Sequence, residues 1–223
     1  MAVDALLLES AGRLAKPVLR FYAWEGPAFT FGYSQRWSMI EAGLGPTVGE
    51  RIRRLTGGGI VDHRADLTYA LVVPPGHAHF RLSAPRLYKG LHRALADALA
   101  ATSVPADLAP CPKACADPAR RGPALACFTG PEADDVIHRK TGGKLAGAAM
   151  KRNRRGLLVQ GSVLATDLPG TRAGEFMDTF TDLLGQWLAA RPRKRRPEEL
   201  GLDRTRLAAW ETTFADPAWN RRR

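Results

Sequence analysis

The chain is poor in cysteine and in acid, and it has no long apolar run. Three cysteines in 223 residues, Cys111, Cys115 and Cys127, are too few and too unevenly placed for the disulfide framework of a small secreted protein. Cys111 and Cys115 have a C-x3-C spacing, but no second pair of ligands accompanies them, so no metal site is expected. No stretch approaches the ~20 apolar residues a membrane-spanning helix needs. Met1 opens directly into an amphipathic segment instead of a secretion signal, which makes cytoplasmic residence the expectation. There is no internal repeat. A hydrophobic content of 45% over this length suffices for one domain with a full core, here 1–223, with a basic C-terminal extension from about 191.

The shortage of acid is marked: 22 Asp and Glu stand against 33 Lys and Arg, a net charge of +11. Between Arg139 and Arg155 there are seven basic residues and no acidic one, and a second run covers Arg191 to Arg196. Such patches suit nucleic acid or an acidic protein partner. No zinc-finger spacing, aromatic RNA-binding strand motif or recognition helix goes with them. An acidic protein is therefore the expected partner, and Arg221 to Arg223 read as a solvated surface.

Apolar spacing predicts a helix over Ala2 to Leu14. Val18 to Trp24 and Phe29 to Tyr33, separated by Gly26-Pro27, read as paired strands. Further strands are expected at Ile52 to Leu55, Gly59 to His63 and Leu67 to Val73. Ser83 is the expected N-cap of a helix running to about Ala101, with Pro85 in its first turn. Residues 102–123 read as an irregular connection. Strand character returns at Val136-Ile137, Lys144 to Lys151 and Gly156 to Leu164. A helix follows with Phe176, Phe180, Leu183, Leu184, Trp187 and Leu188 on one stripe, and a short one surrounds Arg204 to Thr213. Hairpin-linked strands with helices grouped apart imply an α+β fold, with a mainly antiparallel or mixed central sheet flanked by helices.

Two segments carry the chemistry. The first is Arg53-Arg54-Leu55-Thr56-Gly57-Gly58-Gly59-Ile60-Val61-Asp62-His63. Three consecutive glycines bury almost nothing and cost backbone entropy, so they serve a tight turn or a close approach of backbone to ligand. The adjacent arginines supply charge-assisted contacts to a carboxylate or phosphate. The second is Thr141-Gly142-Gly143-Lys144-Leu145-Ala146-Gly147-Ala148-Ala149-Met150. There a strand lysine framed by small residues can lie against a bound ligand and stabilise a developing oxyanion. Read as an exposed strand residue, Lys144 should be removable without harm to the fold.

Together these segments resemble the biotin/lipoate protein ligase superfamily, in its lipoate ligase and octanoyltransferase branch. The resemblance extends in order through Met1 to Leu8, Leu19 to Trp24, Phe31 to Gln35, Asp66 to Leu71, Ala126-Cys127-Phe128, Gln160-Gly161-Ser162 and Ala215 to Asn220. It implies that fold and a role in protein lipoylation: transfer of an octanoyl or lipoyl group to a lysine of a lipoyl domain or of glycine-cleavage H protein. Lys144 corresponds to the family's catalytic lysine. Cys127 corresponds to the acyl-thioester nucleophile of one octanoyltransferase class, which takes octanoyl from acyl carrier protein and needs no cofactor. His63 falls where the family has a histidine near the acyl and activating groups. Arg53, Arg54, Thr56, Gly57, Gly58 and Gly59 would bind substrate, Gly147 and Ala148 would line the acyl tunnel, and Tyr69 would line the core or meet substrate in that tunnel.

The alternative within the fold is an ATP-dependent lipoate ligase, which uses ATP and Mg and passes through an acyl-adenylate. An alternative of another class is a non-catalytic basic binding module on a degenerate ligase fold. Retention of both the glycine strand and Lys144 argues against that one. Arg64-Ala65-Asp66-Leu67 follows the octanoyltransferase pattern more closely than the ligase pattern. Gln160 stands where many members have a histidine. The small C-terminal domain common to ATP-using ligases has no counterpart before Arg223.

Overall fold

The computed structural model describes residues 1–46, 49–111, 130–168 and 170–222. Six strands form the main sheet, in the order β1 (Val18–Tyr22), β5 (Asp66–Val73), β9 (Gly156–Leu164), β8 (Lys144–Asn153), β7 (Val136–His138), β6 (Ala106–Leu108). Every pairing in it is antiparallel. A second sheet places β2 (Ala28–Phe31) between β3 (Glu50–Arg53), parallel to it, and β4 (Val61–Asp62), antiparallel. The arrangement is α+β with a mainly antiparallel central sheet, as the segment pattern implied.

Alternation along the strands sends side chains to opposite faces. Tyr69, Leu71, Val73, Leu157, Val159 and Val163 pack beneath α3 (Ala84–Ala101) and α4 (Gly170–Trp187). Ala70, Val72 and Leu158 meet α1 (Ala2–Leu14) and Phe214 of α5 (Arg204–Ala215). α1 is rich in Ala and Leu, which favour helix. It ends at Ala15, a left-handed residue with φ 55° whose N–H bonds the Ala11 carbonyl. Among the described residues no helix is long and apolar enough to cross a membrane.

Several expectations need correction. The strands at 18–22 and 28–31 do not pair with each other: β1 joins the main sheet against β5, with Val18 opposite Val72, and β2 starts the second sheet. Gly26-Pro27 therefore belongs to a crossover between sheets and not to a hairpin. A helix, α2 (Trp37–Leu44), lies in a stretch given no element from sequence. β6 occupies part of the connection expected to be irregular; the remainder of that connection from 112 on lies outside the described residues. Ser83 takes the N-cap position of α3, but its side chain makes no cap hydrogen bond. The basic run at 191–196 is exposed, and beyond it the chain folds back through α5 and α6 (Pro217–Arg221).

Candidate active site

A cleft with about 490 Å³ of empty space, its mouth included, opens between the two sheets. Its main-sheet wall is built from Thr68 of β5, Gln160 and Ser162 of β9, and Lys144, Gly147 and Ala149 of β8. The facing wall comes from Thr30, Arg54, Gly58, Val61 and His63, and Met1 closes one end.

The glycine loop is shaped by backbone contact. A Cβ on Gly32 would stand 2.0 Å from the Gly58 carbonyl oxygen, and Gly58 itself has φ 88°, a conformation other residues rarely adopt. Arg54 folds back into the loop: Nη2 donates to the carbonyls of Gly57 and Gly59, each at 2.8 Å, and Nη1 donates to Thr30 Oγ1 at 2.7 Å. Thr56 Oγ1 donates to Gln160 Oε1 at 2.9 Å, tying the loop to β9. Gln160 Nε2 then donates to Asp4 Oδ2 at 2.7 Å, and the same buried Asp4 accepts from Arg20 and Tyr22. Arg54 and Gly58 thus reach the cleft wall, and Thr56, Gly57 and Gly59 hold the loop in shape behind them.

Arg53 does something else. Fully buried, its guanidinium donates to the carbonyls of Tyr33, Gln35, Trp219, Asn220 and Arg222 at 2.7–3.2 Å. The expectation that Arg53 binds substrate is corrected: it clasps α6 to the loop after β2. Of the core and the acyl tunnel, Tyr69 takes the core. It reaches across Gly161, where a Cβ would stand 2.2 Å from Tyr69 Cζ, and packs against Phe180 in the core beneath α4.

Lys144 owes its position to a bulge. One step in β7, Val136 to Ile137, spans two in β8, from Ala146 to Lys144. Bulges re-aim side chains, and here the irregularity puts Lys144 on the same side as Gly147 despite their odd spacing. The ammonium lies 2.7 Å from Asp135 Oδ2, with the two side chains 7% and 0% exposed. Asp135 is fixed in turn by the Glu132 N–H on Oδ2 (2.7 Å) and the Tyr88 hydroxyl on Oδ1 (2.5 Å). Lys144 is therefore a buried, paired cation at the cleft wall, and not the exposed strand lysine expected.

His63 stands at the centre of a polar chain. Thr30 Oγ1, which accepts from Arg54, has its own hydrogen to give to His63 Nε2 at 2.7 Å, so Nδ1–H faces Asp66 Oδ2 at 2.7 Å. Ser162 Oγ and Thr68 Oγ1 also donate to Asp66 Oδ2, and Trp24 stacks on the imidazole at 4.5 Å while donating its indole N–H to Thr68. The arrangement holds the ring in one tautomer and orientation. Gly147 and Ala148 line the cleft. Cys127 and Cys115 lie outside the described residues, and Cys111 is exposed. Among the described residues no three His, Cys, Asp or Glu side chains group so as to hold a metal. Asp135, Tyr88 and Thr30 were not singled out from sequence, and Asp66 and Asp4 entered only as members of the resembling segments, without a role.

A bulged strand presenting a buried lysine across from a glycine loop, in a cleft between two sheets, defines this α+β domain and its candidate site. The chain belongs to the lipoyl protein ligase A/B catalytic domain family, whose model matches residues 1–205. The octanoyltransferase LipM of Bacillus cereus is 31% identical over 170 residues, covering 73% of this chain and 59% of that protein. The LipM of Moorella thermoacetica is 33% identical over 179 residues, covering 74% of this chain and 60% of that one. The chain thus spans less than two thirds of the length of these relatives. A crystal structure of lipoate-protein ligase A bound with ATP superposes with a TM-score of 0.73 at 17% identity, covering 99% of this chain and 92% of that one, which establishes the shared fold.

Proposed function

We propose that this chain transfers an octanoyl or lipoyl group to the ε-amino group of a lysine on a lipoyl domain or glycine-cleavage H protein, through a thioester on Cys127. The observation that carries this reading is the Lys144 ammonium, held by Asp135 at the wall of the cleft and facing the glycine loop. Similarity to the LipM octanoyltransferases supports octanoyl transfer as the reaction.

In the first half-reaction the Cys127 thiolate attacks the carbonyl carbon of octanoyl bound to acyl carrier protein. A new C–S bond forms, the old one breaks, and the carrier thiolate leaves and takes up a proton. In the second, the neutral amine of the acceptor lysine attacks the Cys127 thioester. The C–N bond forms, the C–S bond breaks, Cys127 returns as thiolate and the amine gives up its proton to solvent. Lys144 stabilises the oxyanion in both, a contribution of about 100- to 1,000-fold. This route needs no cofactor. The exposed cations at Arg139, Lys140 and Arg154, with the 191–196 run, suit an acidic acceptor domain, whose approach should slow as salt rises.

The test is the intact mass of the protein after mixing with octanoyl-acyl carrier protein. Gain of one octanoyl group, reversed by hydroxylamine and absent from Cys127→Ser, is the expected result. No adduct, together with lipoate-dependent exchange of pyrophosphate into ATP, would instead make the chain a lipoate ligase. ATP with Mg would then supply the activation, and Lys144 would meet the same carbonyl.

A further inference from the structure

We propose that Tyr88 is a positioning residue for Lys144, acting through Asp135; this rests on the reading of Lys144 as the oxyanion-stabilising group. Tyr88 sits on α3, beside the apolar face formed by Leu87, Leu91 and Leu95, and is only half-buried. A phenylalanine would serve that packing equally well. The hydroxyl, however, is aimed at the site: it donates to Asp135 Oδ1 at 2.5 Å and accepts the Ala148 N–H at 3.3 Å. Ala148 lies past the point where β7 stops pairing with β8, and on that side the Tyr88 hydroxyl takes its N–H.

Each oxygen of Asp135 is thereby held from a different direction. Oδ1 is fixed by α3, and Oδ2 by the Glu132 N–H and the Lys144 ammonium. A carboxylate pinned at one oxygen only can swing about its Cβ–Cγ bond and take its partner with it. One turn further along α3, His92 packs on the edge of the Tyr88 ring at 3.9 Å and donates Nδ1–H to the Asp134 carbonyl at 2.7 Å. Asp134 has φ 63°, a left-handed conformation that this grip maintains. The helix therefore fixes both residues of the turn carrying the lysine's counter-ion. Burial, and then the Asp135 charge, push the Tyr88 phenol far above the usual tyrosine range, so it remains a donor at any working pH.

Tyr88→Phe removes the hydroxyl and keeps the ring. In protein carrying 13Cε-labelled lysine, with Lys144 assigned by comparison with Lys144→Arg, an immobilised side chain gives two distinct Hε resonances. The expected result for Tyr88→Phe is collapse of the Lys144 pair to one resonance while core methyl shifts stay in place. In acyl transfer, kcat should fall about 10- to 100-fold, as for a misplaced catalytic group, with KM for the acceptor unchanged. A Lys144 pair that persists in folded Tyr88→Phe overturns the proposal whatever the activity does. So does a collapsed pair with wild-type kcat. If the wild-type chain transfers no acyl group yet the pair collapses, the activity reading fails and the hold of Tyr88 on Lys144 stands.

Discussion

The end of the Lys144 side chain occupies the space where a side chain at residue 147 would begin: a Cβ on Gly147 would lie 2.7 Å from Lys144 Cε, 2.9 Å from Nζ and 3.1 Å from Asp135 Oδ1. The glycine is thus part of the site because it is empty there. Its place in the Lys-Leu-Ala-Gly run has a steric reason, since the bulge turns Lys144 onto that face and only hydrogen leaves room for it.

Gly147→Ala should separate activity from stability. The atoms the new methyl would crowd most are the flexible end of a lysine, which can yield, while Asp135 Oδ1 at 3.1 Å needs to give by only a few tenths of an ångström, and the strand conformation suits alanine at least as well as glycine. Thermal denaturation should change by no more than the equivalent of about 1 kcal/mol. If Lys144 stabilises the oxyanion as proposed, turnover should fall about 100-fold, because the ammonium is displaced. A variant with wild-type kcat would show that the ammonium need not lie over residue 147.

Lys144→Ala should harm both properties. Removing one partner of a buried ion pair leaves Asp135 charged and unpaired, at a cost of about 3–5 kcal/mol. The double variant Lys144→Met/Asp135→Asn removes both charges and keeps the volume. It should recover most of the stability in urea unfolding and none of the acyl transfer. Recovery of activity in the double variant would remove Lys144 from the mechanism.

Lys144 and the glycine loop were legible in the sequence because their chemistry is local: a few consecutive residues specify the turn, the close approach and the charge. What could not be read is what lies across from them. Asp135 meets Lys144 through a two-for-one bulge, and Tyr88 arrives from another helix. The arginine pair is the clearest case. Arg53 and Arg54 are neighbours of one residue type, but they end on opposite sides of the chain. One side faces the glycine loop and cleft, and the other is covered by a helix more than 160 residues later. Nothing in Arg53-Arg54 says which is which until α6 is in place. The strand pairing of 18–22 failed for a similar reason, since β1 takes its partner from β5 and not from the adjacent segment. The fold class was legible because amphipathic periods and turn residues act over short windows.

Arg53 offers a direct comparison of structural and ligand-binding roles. Its guanidinium serves five carbonyls, and its own backbone N–H and C=O bond the Asn220 and Trp219 side chains. Hydrogen bonds to charged groups contribute about 1.5–3 kcal/mol each, though not additively. Arg53→Ala should therefore cost at least about 3 kcal/mol. Hydrogen exchange in 217–221 should rise before exchange in the main sheet does. Activity at low temperature should follow the folded fraction, with KM for the acyl donor unchanged. A raised KM in fully folded protein would return Arg53 to the binding site.

His92 should make the fold sensitive to mild acid. It is fully buried; Nδ1–H bonds the Asp134 carbonyl, and Nε2 has no hydrogen-bond partner among the described residues. Burial pushes its pKa down from 6.5 to about 4, partly opposed by the Asp134 carbonyl and the charge of Asp135. Because the folded value is depressed, the unfolded chain takes up the proton first. The stability of the neutral, buried form is complete above about pH 6.5, falls as pH drops toward 4, and changes no further from this group below that. At about 1.36 kcal/mol per pKa unit, the loss across the window is at most about 3 kcal/mol. His92→Gln keeps a donor for the Asp134 carbonyl and has nothing to titrate. Urea unfolding of both proteins at steps from pH 7 to pH 4 should give curves that diverge below pH 6.5, with the wild type losing more. Parallel curves would mean that His92 is protonated as readily in the folded protein as in the unfolded chain, and that α3 can admit a charge beside Tyr88.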